Sequence, residues 1–514
     1  MERDRSADRG TACNYDIVGL GHDRAILEED RSRANGLWSV GMSEDRKRFR
    51  ALAQRSFARS TGLGYGSHVS IAWGPSDVIE KQKLKAISGF PEWLPELRMV
   101  ELQWLDKIRA VFEGYGYAPI ETRAIEPVEV LLKQGDTDKE IYAIRRLLAD
   151  PGEAAAPEHA LHYDMTVPMA RYVAANLNDL VFPFKRYQMQ KAWRGERPQD
   201  GRFREFYQCD VDVVDVREIP LHFDAEMPAI MYEALDRIGV GPVATKINNR
   251  KILQGYYEGL GISDAGNAIR IVDKLDKIGV AGVSNMLASE LGLGPDAIGK
   301  ILALTEIKGS DSSILAAVEK LGVKSPVLEQ GLYELGFVLD ALKRFPPGAF
   351  VADLSIARGL AYYTGSVYET KLVDFPDFPT VCGGGRYDNL VGSLISRRLP
   401  GIGISIGLTR IFWKLQKEGR IKPSRKTPTD VLVLFPRDGD YANVAAVAHR
   451  LRVRGLKVEM YHEDRKADAQ FKYATDKGIP FVWFMPSAPG VPHKVKELSS
   501  GSQVDADPDS WLPA

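Results

Sequence analysis

Between Phe184 and Val214 the chain reads as two strands joined by Gly195-Glu-Arg-Pro-Gln-Asp-Gly201, a loop rich in turn formers. This pair constrains the fold more than any other stretch. Side chains two apart on a strand share a face. Arg202, Arg204, Phe206, Gln208, Asp210 and Asp212 therefore point one way, and Phe203, Tyr207, Val211 and Val213 the other. The polar face is a candidate site floor. Arg194 ends the first strand on the parity of Arg186, and Arg197 and Arg202 flank the loop. Guanidinium groups converging there would suit phosphate oxygens, which the planar five-donor fork holds in fixed geometry, so a triphosphate is the natural ligand. On these residues alone a surface hairpin with exposed arginines is an equal reading.

The rest of the chain sorts into segments. Residues 1–85 mix charges of both signs with glycine clusters such as Thr61-Gly-Leu-Gly-Tyr-Gly66, and read as a poorly ordered N-terminal extension. Leu94-Pro95-Glu96 suits a helix start, and Leu97, Val100, Trp104, Ile108 and Val111 recur at helical spacing up to Gly114. Ala118-Pro-Ile-Glu-Thr122 reads as the strand that follows. From 245 to 345 the period is helical, as in an inserted all-α module within a domain spanning 86–425. Residues 417–429 are basic, contain two prolines and read as a linker. Beyond it Asp430–Phe435, Tyr441–Arg454, Lys457–Tyr461, a further helix and Phe481–Phe484 give a βαβαβ rhythm, hence a C-terminal α/β domain over 426–514.

Composition narrows the function classes. Lys+Arg 68 against Asp+Glu 69 leaves no general cationic field, so any nucleic-acid contact must come from local patches. No apolar run reaches the length of a membrane span and the start MERDRSADRG is charged, so no membrane association and a cytoplasmic location are expected. Cys13, Cys209 and Cys382 form no CxxC and the eight histidines no HxxxH, so no protein-held metal is expected. Gly294-Pro-Asp-Ala-Ile-Gly-Lys300 imitates a phosphate-binding loop, but Ile301 stands where the metal-binding Ser or Thr belongs and no strand precedes it. Cys209 and Cys382 lack a companion base and read as packed small residues.

Five segments, in order, resemble a known family. Ala192–Gln208 resembles motif 2 of the class II aminoacyl-tRNA synthetases, Gly401–Arg410 opening a helix resembles motif 3, and Leu94–Thr122 resembles motif 1, the dimer-forming element. Ser355-Ile-Ala-Arg-Gly-Leu-Ala-Tyr-Tyr-Thr-Gly365 and Cys382-Gly-Gly-Gly-Arg-Tyr-Asp388 resemble the two segments that mark the histidyl-tRNA synthetase family within that class. The resemblance runs from about residue 88 to the C-terminus. It implies an α+β fold: a catalytic domain on an antiparallel sheet, a helical insertion against the tRNA acceptor stem, and a C-terminal α/β anticodon-binding domain.

The implied activity is a histidine–tRNA ligase that makes histidyl-adenylate from ATP and histidine and passes the histidyl group to tRNA-His, as a homodimer. The implied catalytic residues are Arg194 and Arg358, holding the α-phosphate from two sides. Arg202 and Arg410 would hold the outer phosphates with Mg²⁺, Phe206 would stack on adenine, and Glu196 would lie near the base and metal. Asp164 and Thr166 match positions for the α-amino group. Gln208, Asp212, Tyr362, Tyr363 and Tyr387 match positions around the histidine and its ring. Arg465, Lys466, Gln470 and Lys472 match the anticodon-reading surface. The chain departs from the family pattern at His162, where Arg is usual, and at Ala361, where Asp is usual. The rival within the resemblance is a non-catalytic, histidine-binding regulatory paralogue of the ATP phosphoribosyltransferase regulatory subunit type. Such paralogues usually lack the anticodon domain and the catalytic arginines.

Overall fold

The computed structural model describes residues 86–132, 140–146, 157–357, 363–388, 398–437 and 439–513. They belong to one compact unit, Lys85–Ala514. The extension expected over 1–85 lies outside the described residues.

Helix α1 (Pro95–Gly114) carries Pro95 and Glu96 in its first turn, where a missing N–H costs nothing and a negative charge suits the helix dipole. Trp104, Ile108, Val111 and Phe112 form its buried stripe. The strand after it, β1 (Ala118–Pro119), is shorter than the five residues expected and pairs in parallel with β5 (Phe184–Trp193). Ile120 still donates to the Tyr187 carbonyl at 2.9 Å. Side chains then replace the ladder: Gln188 Nε2 donates to Thr122 Oγ1 at 2.9 Å and Gln190 Nε2 to its carbonyl at 3.0 Å. Between β1 and β5 lie β2 (Ile125–Pro127), α2 (Val128–Leu131), β3 (Ala143–Ile144), β4 (His159–Leu161) and α3 (Thr166–Ala175), the three strands forming a small sheet in the order β2-β4-β3.

The main sheet holds nine strands among the described residues. After β5 come β6 (Glu205–Val214), α4 (His222–Ile238) and β7 (Val243–Asn249). Helices α5 (Arg250–Gly259), α6 (Ala265–Val272), α7 (Leu275–Leu291) and α8 (Pro295–Thr305) follow, then β8 (Lys308–Gly309), α9 (Ser313–Glu319) and α10 (Pro326–Leu342). The chain returns through β9 (Phe350–Asp353), β10 (Tyr363–Leu372), β11 (Cys382–Tyr387), β12 (Gly401–Gly407) and α11 (Leu408–Lys417). The order is β1-β5-β6-β12-β11-β10-β7-β9-β8, antiparallel except for β1 with β5 and β7 with β9. The helical stretch thus begins later than 245: Thr245–Asn249 pair within the sheet, because Thr245 and Asn249 face Thr370 and Ser366 of β10. The stretch is also not all helix, since Lys308 and Gly309 pair with β9 at the sheet edge.

One face of this sheet is closed by helices. Val211 and Val213 of β6, Ile402, Ile404 and Ile406 of β12, and Ile247 of β7 share a core with Trp104, Ile108 and Phe112 of α1 and with Met227, Ile230, Met231 and Leu235 of α4. Complete burial of each such side chain stabilises by roughly 1.5–3 kcal/mol, so this face supplies the apolar driving force of the catalytic half. The C-terminal half follows the expected rhythm through β13 (Val431–Val433), α12 (Tyr441–Val453), β14 (Val458–Met460), α13 (Ala467–Lys477) and β15 (Phe481–Phe484). Two antiparallel strands not anticipated from the sequence, β16 (His493–Glu497) and β17 (Gln503–Ala506), extend that sheet. No described helix is long and apolar enough to cross a membrane.

A buried ion pair ties the sheet to its helical layer. Arg386 of β11 meets Asp224 of α4 and donates to the Ile219 carbonyl at 2.9 Å, and Asp224 is fully buried. Removing one partner strands a buried charge, which costs roughly 3–5 kcal/mol. Asp224→Ala is accordingly expected to lower the unfolding free energy by that amount in urea denaturation; a loss below about 1 kcal/mol would show that Arg386 finds compensation elsewhere.

Candidate active site

The open face of the sheet is organised by register. Arg186, Asp212, Gly403 and Gly385 stand in one row across β5, β6, β12 and β11. Gln188, Asp210, Ser405 and Gly383 form the next row, and Gln190, Gln208 and Gly407 a third. This is the face that strand parity assigned to Phe206, Gln208, Asp210 and Asp212. Glycine at 403 is a spatial requirement, because a Cβ there would overlap Asp212 Oδ1. At the lower end the floor is plugged by Val214, Tyr387, Met169 and Leu399, with Phe184 and Tyr363 packed on them.

A cleft of about 390 Å³ opens over the hairpin end, lined by Arg194, Glu196, Arg202, Phe206, Gln208, Tyr363 and Arg410 among others. Three guanidinium groups do converge, but the third is Arg410 and not Arg197, which is exposed and does not line the cleft. Parity also fails for Phe203, which lines the cleft, since β6 begins only at Glu205 and the alternation does not extend into the loop. Arg194 follows β5 directly: its Nε donates to the Tyr163 carbonyl at 3.0 Å and its guanidinium lies 5.2 Å from the centre of the Phe206 ring. Arg202 pairs with Glu196 at 3.3 Å. Arg410, in the first turn of α11, donates to the carbonyls of Gly201 at 2.8 Å and Thr380 at 2.5 Å, which pins the hairpin loop to the chain entering β11.

A smaller recess of about 30 Å³ adjoins the cleft at Tyr363, Gly383 and Ser405, and is lined also by Thr166, Asp210, Asp212 and Tyr387. Arg186 Nη2 lies 2.5 Å from Asp212 Oδ2, and the Tyr387 hydroxyl donates to Asp212 Oδ1 at 3.1 Å. Gln208 Nε2 donates to Ser405 Oγ at 2.6 Å. Asp164 is buried, accepts from the Val167 N–H at 3.3 Å and lines neither cavity. Arg358, Ala361 and Tyr362 lie outside the described residues.

Burial dominates the electrostatics of the floor. It raises the carboxyls of Asp164, opposed mainly by Arg194, and of Asp212, opposed mainly by Arg186. Asp210 is pushed up to about 7 by burial, with Arg186 opposing and Asp212 adding. Burial likewise lifts the thiols of Cys209 and Cys382 well above their usual range, which fits packed residues and not nucleophiles. Two residues missed by sequence reading belong here. Asp210 was read only as part of the polar face. Glu140 comes from a distant loop: its carbonyl accepts the Gly195 N–H at 2.7 Å, and burial followed by Glu196 raises its carboxyl while Arg194 and Arg202 oppose. No sequence signal marked Glu140.

Three further expectations meet the structure directly. His162 is fully buried, with Nε2 2.7 Å from the Lys191 carbonyl and its ring packed on Trp193, so it serves as a bridge between backbone segments. Gly294–Lys300 opens α8 with α7 before it and Lys300 paired to Asp296, which leaves no phosphate loop. Gln470 is buried and bound to the backbone of Phe435 and Arg465, so it is withdrawn from the surface on which it was expected, whereas Arg465, Lys466 and Lys472 are exposed.

Comparison with known proteins bears on what this arrangement does. A family model described as histidyl-tRNA synthetase matches residues 89–411. A histidine–tRNA ligase of Thermobifida fusca is 56% identical over 425 residues, 83% of this chain and 97% of the relative. The chain belongs to the histidyl-tRNA synthetase family. Another member, from Micrococcus luteus, is 46% identical over 440 residues, 83% of this chain and 96% of the relative. The crystal structure of histidyl-tRNA synthetase from Nostoc superposes with a TM-score of 0.74 at 39% identity, covering 84% of this chain and 98% of that one. A structure from Bacillus halodurans described as an ATP phosphoribosyltransferase regulatory subunit/histidyl-tRNA synthetase gives 0.64 at 20% identity over 79% of this chain, a likeness of fold alone. Membership accounts for the α+β architecture around the antiparallel sheet.

Two outcomes test the floor. Gly403→Ala forces Asp212 away from Arg186, and overpacking of this kind costs about 1–3 kcal/mol, readable as a lowered melting temperature. Asp210 gives a pH signature. Its folded pKa of about 7 exceeds the unfolded value of about 3.9, so between those limits the native state binds the extra proton and stability falls as pH rises. Asp210→Asn removes that loss: the variant should match the unmodified chain near pH 4 and be more stable by up to about 4 kcal/mol above pH 7. Equal melting curves for the two at pH 8 would contradict this.

Proposed function

We propose that this chain is an ATP-dependent histidine–tRNA ligase working at the cleft over β5, β6, β11 and β12. The observation that carries the reading is identity of 56% with a curated histidine–tRNA ligase across nearly its whole length, in a chain whose hairpin arginines converge on a cleft. In the first step the histidine carboxylate attacks the α-phosphorus of ATP and pyrophosphate leaves. In the second a terminal ribose hydroxyl of tRNA-His attacks the adenylate carbonyl and AMP leaves.

The chemistry asks for positioning and charge neutralisation more than for proton transfer. Arg194 interacts with both Asp164 and the Phe206 ring, so one guanidinium would serve the amino-acid and adenylate sides. Arg358 would meet the same phosphate from the opposite side. Arg202 and Arg410 are the donors for the outer phosphates, and Phe206 offers its ring to adenine once the Arg194 guanidinium withdraws from it. Glu196, with Glu140 near it, would offer carboxylate to Mg²⁺ carried by ATP; such an ion binds mainly through phosphate and water and needs no protein cage. By the family pattern Thr166, Asp164, Gln208, Asp212, Tyr362, Tyr363 and Tyr387 would form the histidine side of the site.

The remaining assignments follow the family. The chain acts as a cytoplasmic homodimer through α1 and its following strand, the helical stretch lies against the acceptor stem, and the C-terminal α/β domain reads the anticodon. Residues 86–425 and 426–514 are the two functional domains, and 1–85 precede them.

Charging of tRNA with labelled amino acid tests the reading. Histidine alone is expected to be attached, and Arg194→Ala should lower the rate on the order of 10²–10³ with the fold retained. Histidine binding without charging or adenylate formation would favour a regulatory protein instead.

A further inference from the structure

Within the reading just proposed, we infer that Thr409 and Trp413 are positioning residues for ATP. From one face of α11 they seat the loop that joins β5 to β6, so that Arg202 and Arg410 meet the outer phosphates at a fixed spacing. Helix α11 buries Leu408, Ile411, Phe412 and Leu415 in the core. Thr409, Trp413 and Lys417, spaced four apart, share a second face. That face meets the hairpin at its root and at its tip.

At the root, β12 ends at Gly407, opposite Gln208, while β6 extends three residues farther, to Glu205. The Thr409 side chain takes the place of the missing ladder: its Oγ1 accepts the Tyr207 N–H at 2.8 Å, and the residue is 2% exposed. Phe206, the ring offered to adenine, is the next residue in the chain. At the tip, Trp413 packs on two phenylalanines. Phe203 makes a T-shaped contact with it at 6.0 Å, and Phe378 stacks on it at 6.4 Å. Gly201 fits against Phe378 because a Cβ there would lie 2.6 Å from the ring. Arg202 stands in the chain between Gly201 and Phe203, so both of its neighbours are held. Lys417 adds an ion pair to Asp200 at 2.8 Å, but both groups are exposed and such pairs contribute little.

ATP binding makes these contacts necessary. Arg410 itself holds the loop, through the carbonyls of Gly201 and Thr380. A guanidinium shared with phosphate oxygens holds those carbonyls less firmly. Thr409 and Trp413 offer the phosphates nothing, so they keep the loop seated while Arg410 changes partners. The stack on Trp413 also accounts for the inward turn of Phe203. A displacement of about 1 Å at such a site costs on the order of 10²-fold in rate, so the seat acts on the reaction without touching it.

The test uses the full-length chain and histidine-dependent pyrophosphate exchange. Attack at the α-phosphorus releases the β and γ phosphates as pyrophosphate, so the groups seated by α11 hold that product too. For Thr409→Val, which is close in shape but lacks the hydroxyl, and for Trp413→Leu, the KM for ATP and the KM for pyrophosphate are expected to rise together, by about 10- to 100-fold. The KM for histidine should stay unchanged. Thr409→Ser keeps the acceptor oxygen and should behave as the unmodified chain. Transfer of histidine to tRNA-His from adenylate formed beforehand at saturating ATP should keep its rate, since pyrophosphate has already left. Unchanged KM values for ATP and pyrophosphate in both variants would overturn the assignment. So would an equal rise in the histidine KM or a slowed transfer step, either of which marks a general loosening of the fold. Failure of the unmodified chain to exchange with histidine would overturn the ligase reading itself, and is told apart because it precedes any substitution.

Discussion

Registration of β6 between β5 and β12 is the constraint from which the rest of the site follows. It sets Arg186 beside Asp212 and Gln188 beside Asp210, and opposite them it places Gly403 and Ser405. A slip of one residue would exchange Gln208, Asp210 and Asp212 for Cys209, Val211 and Val213, turning the apolar stripe away from α1 and α4. Burial of that stripe thus fixes where the polar groups stand. The helical layer and the site are two consequences of one alternation.

The open face is built at a cost to stability. Arg186 is fully buried, and Asp210 and Gln208 keep oxygen atoms without partners among the described residues. An apolar replacement of such a floor would be expected to stabilise the fold, as buried ion pairs often cost more than they return. What offsets the cost is the large core on the opposite face. Rigid strands then hold the polar groups in place without the substrate's help, which is the condition under which electrostatic positioning accelerates a reaction.

Much of this was legible in the residue pattern, for reasons that can be named. Period-2 alternation has one solution along β6, so the faces of Phe206 through Val213 were readable, and the 3.6 period of α1 likewise. The five family segments pointed to the same sheet. Parity does not report depth, however: Arg186 and Arg194 share a face, yet one is buried against Asp212 and the other lines the cleft. Nor does it hold in loops, which is why Arg197 is exposed and Phe203 is inward. Glu140 reaches the site from a loop with no pattern of its own, through a backbone bond to Gly195. Gln470 looked like a surface contact because it matches a family position, but it closes a backbone gap at Phe435.

The central claim is that one sheet face brings ATP and histidine together, and amino-acid-dependent exchange of pyrophosphate into ATP probes it most directly. With each of the twenty amino acids supplied separately to purified protein, exchange with histidine alone is predicted. Exchange driven by another amino acid would contradict the assignment of the floor around Gln208 and Asp212. Absence of exchange with all twenty, in folded protein that binds histidine, would contradict the catalytic account as a whole.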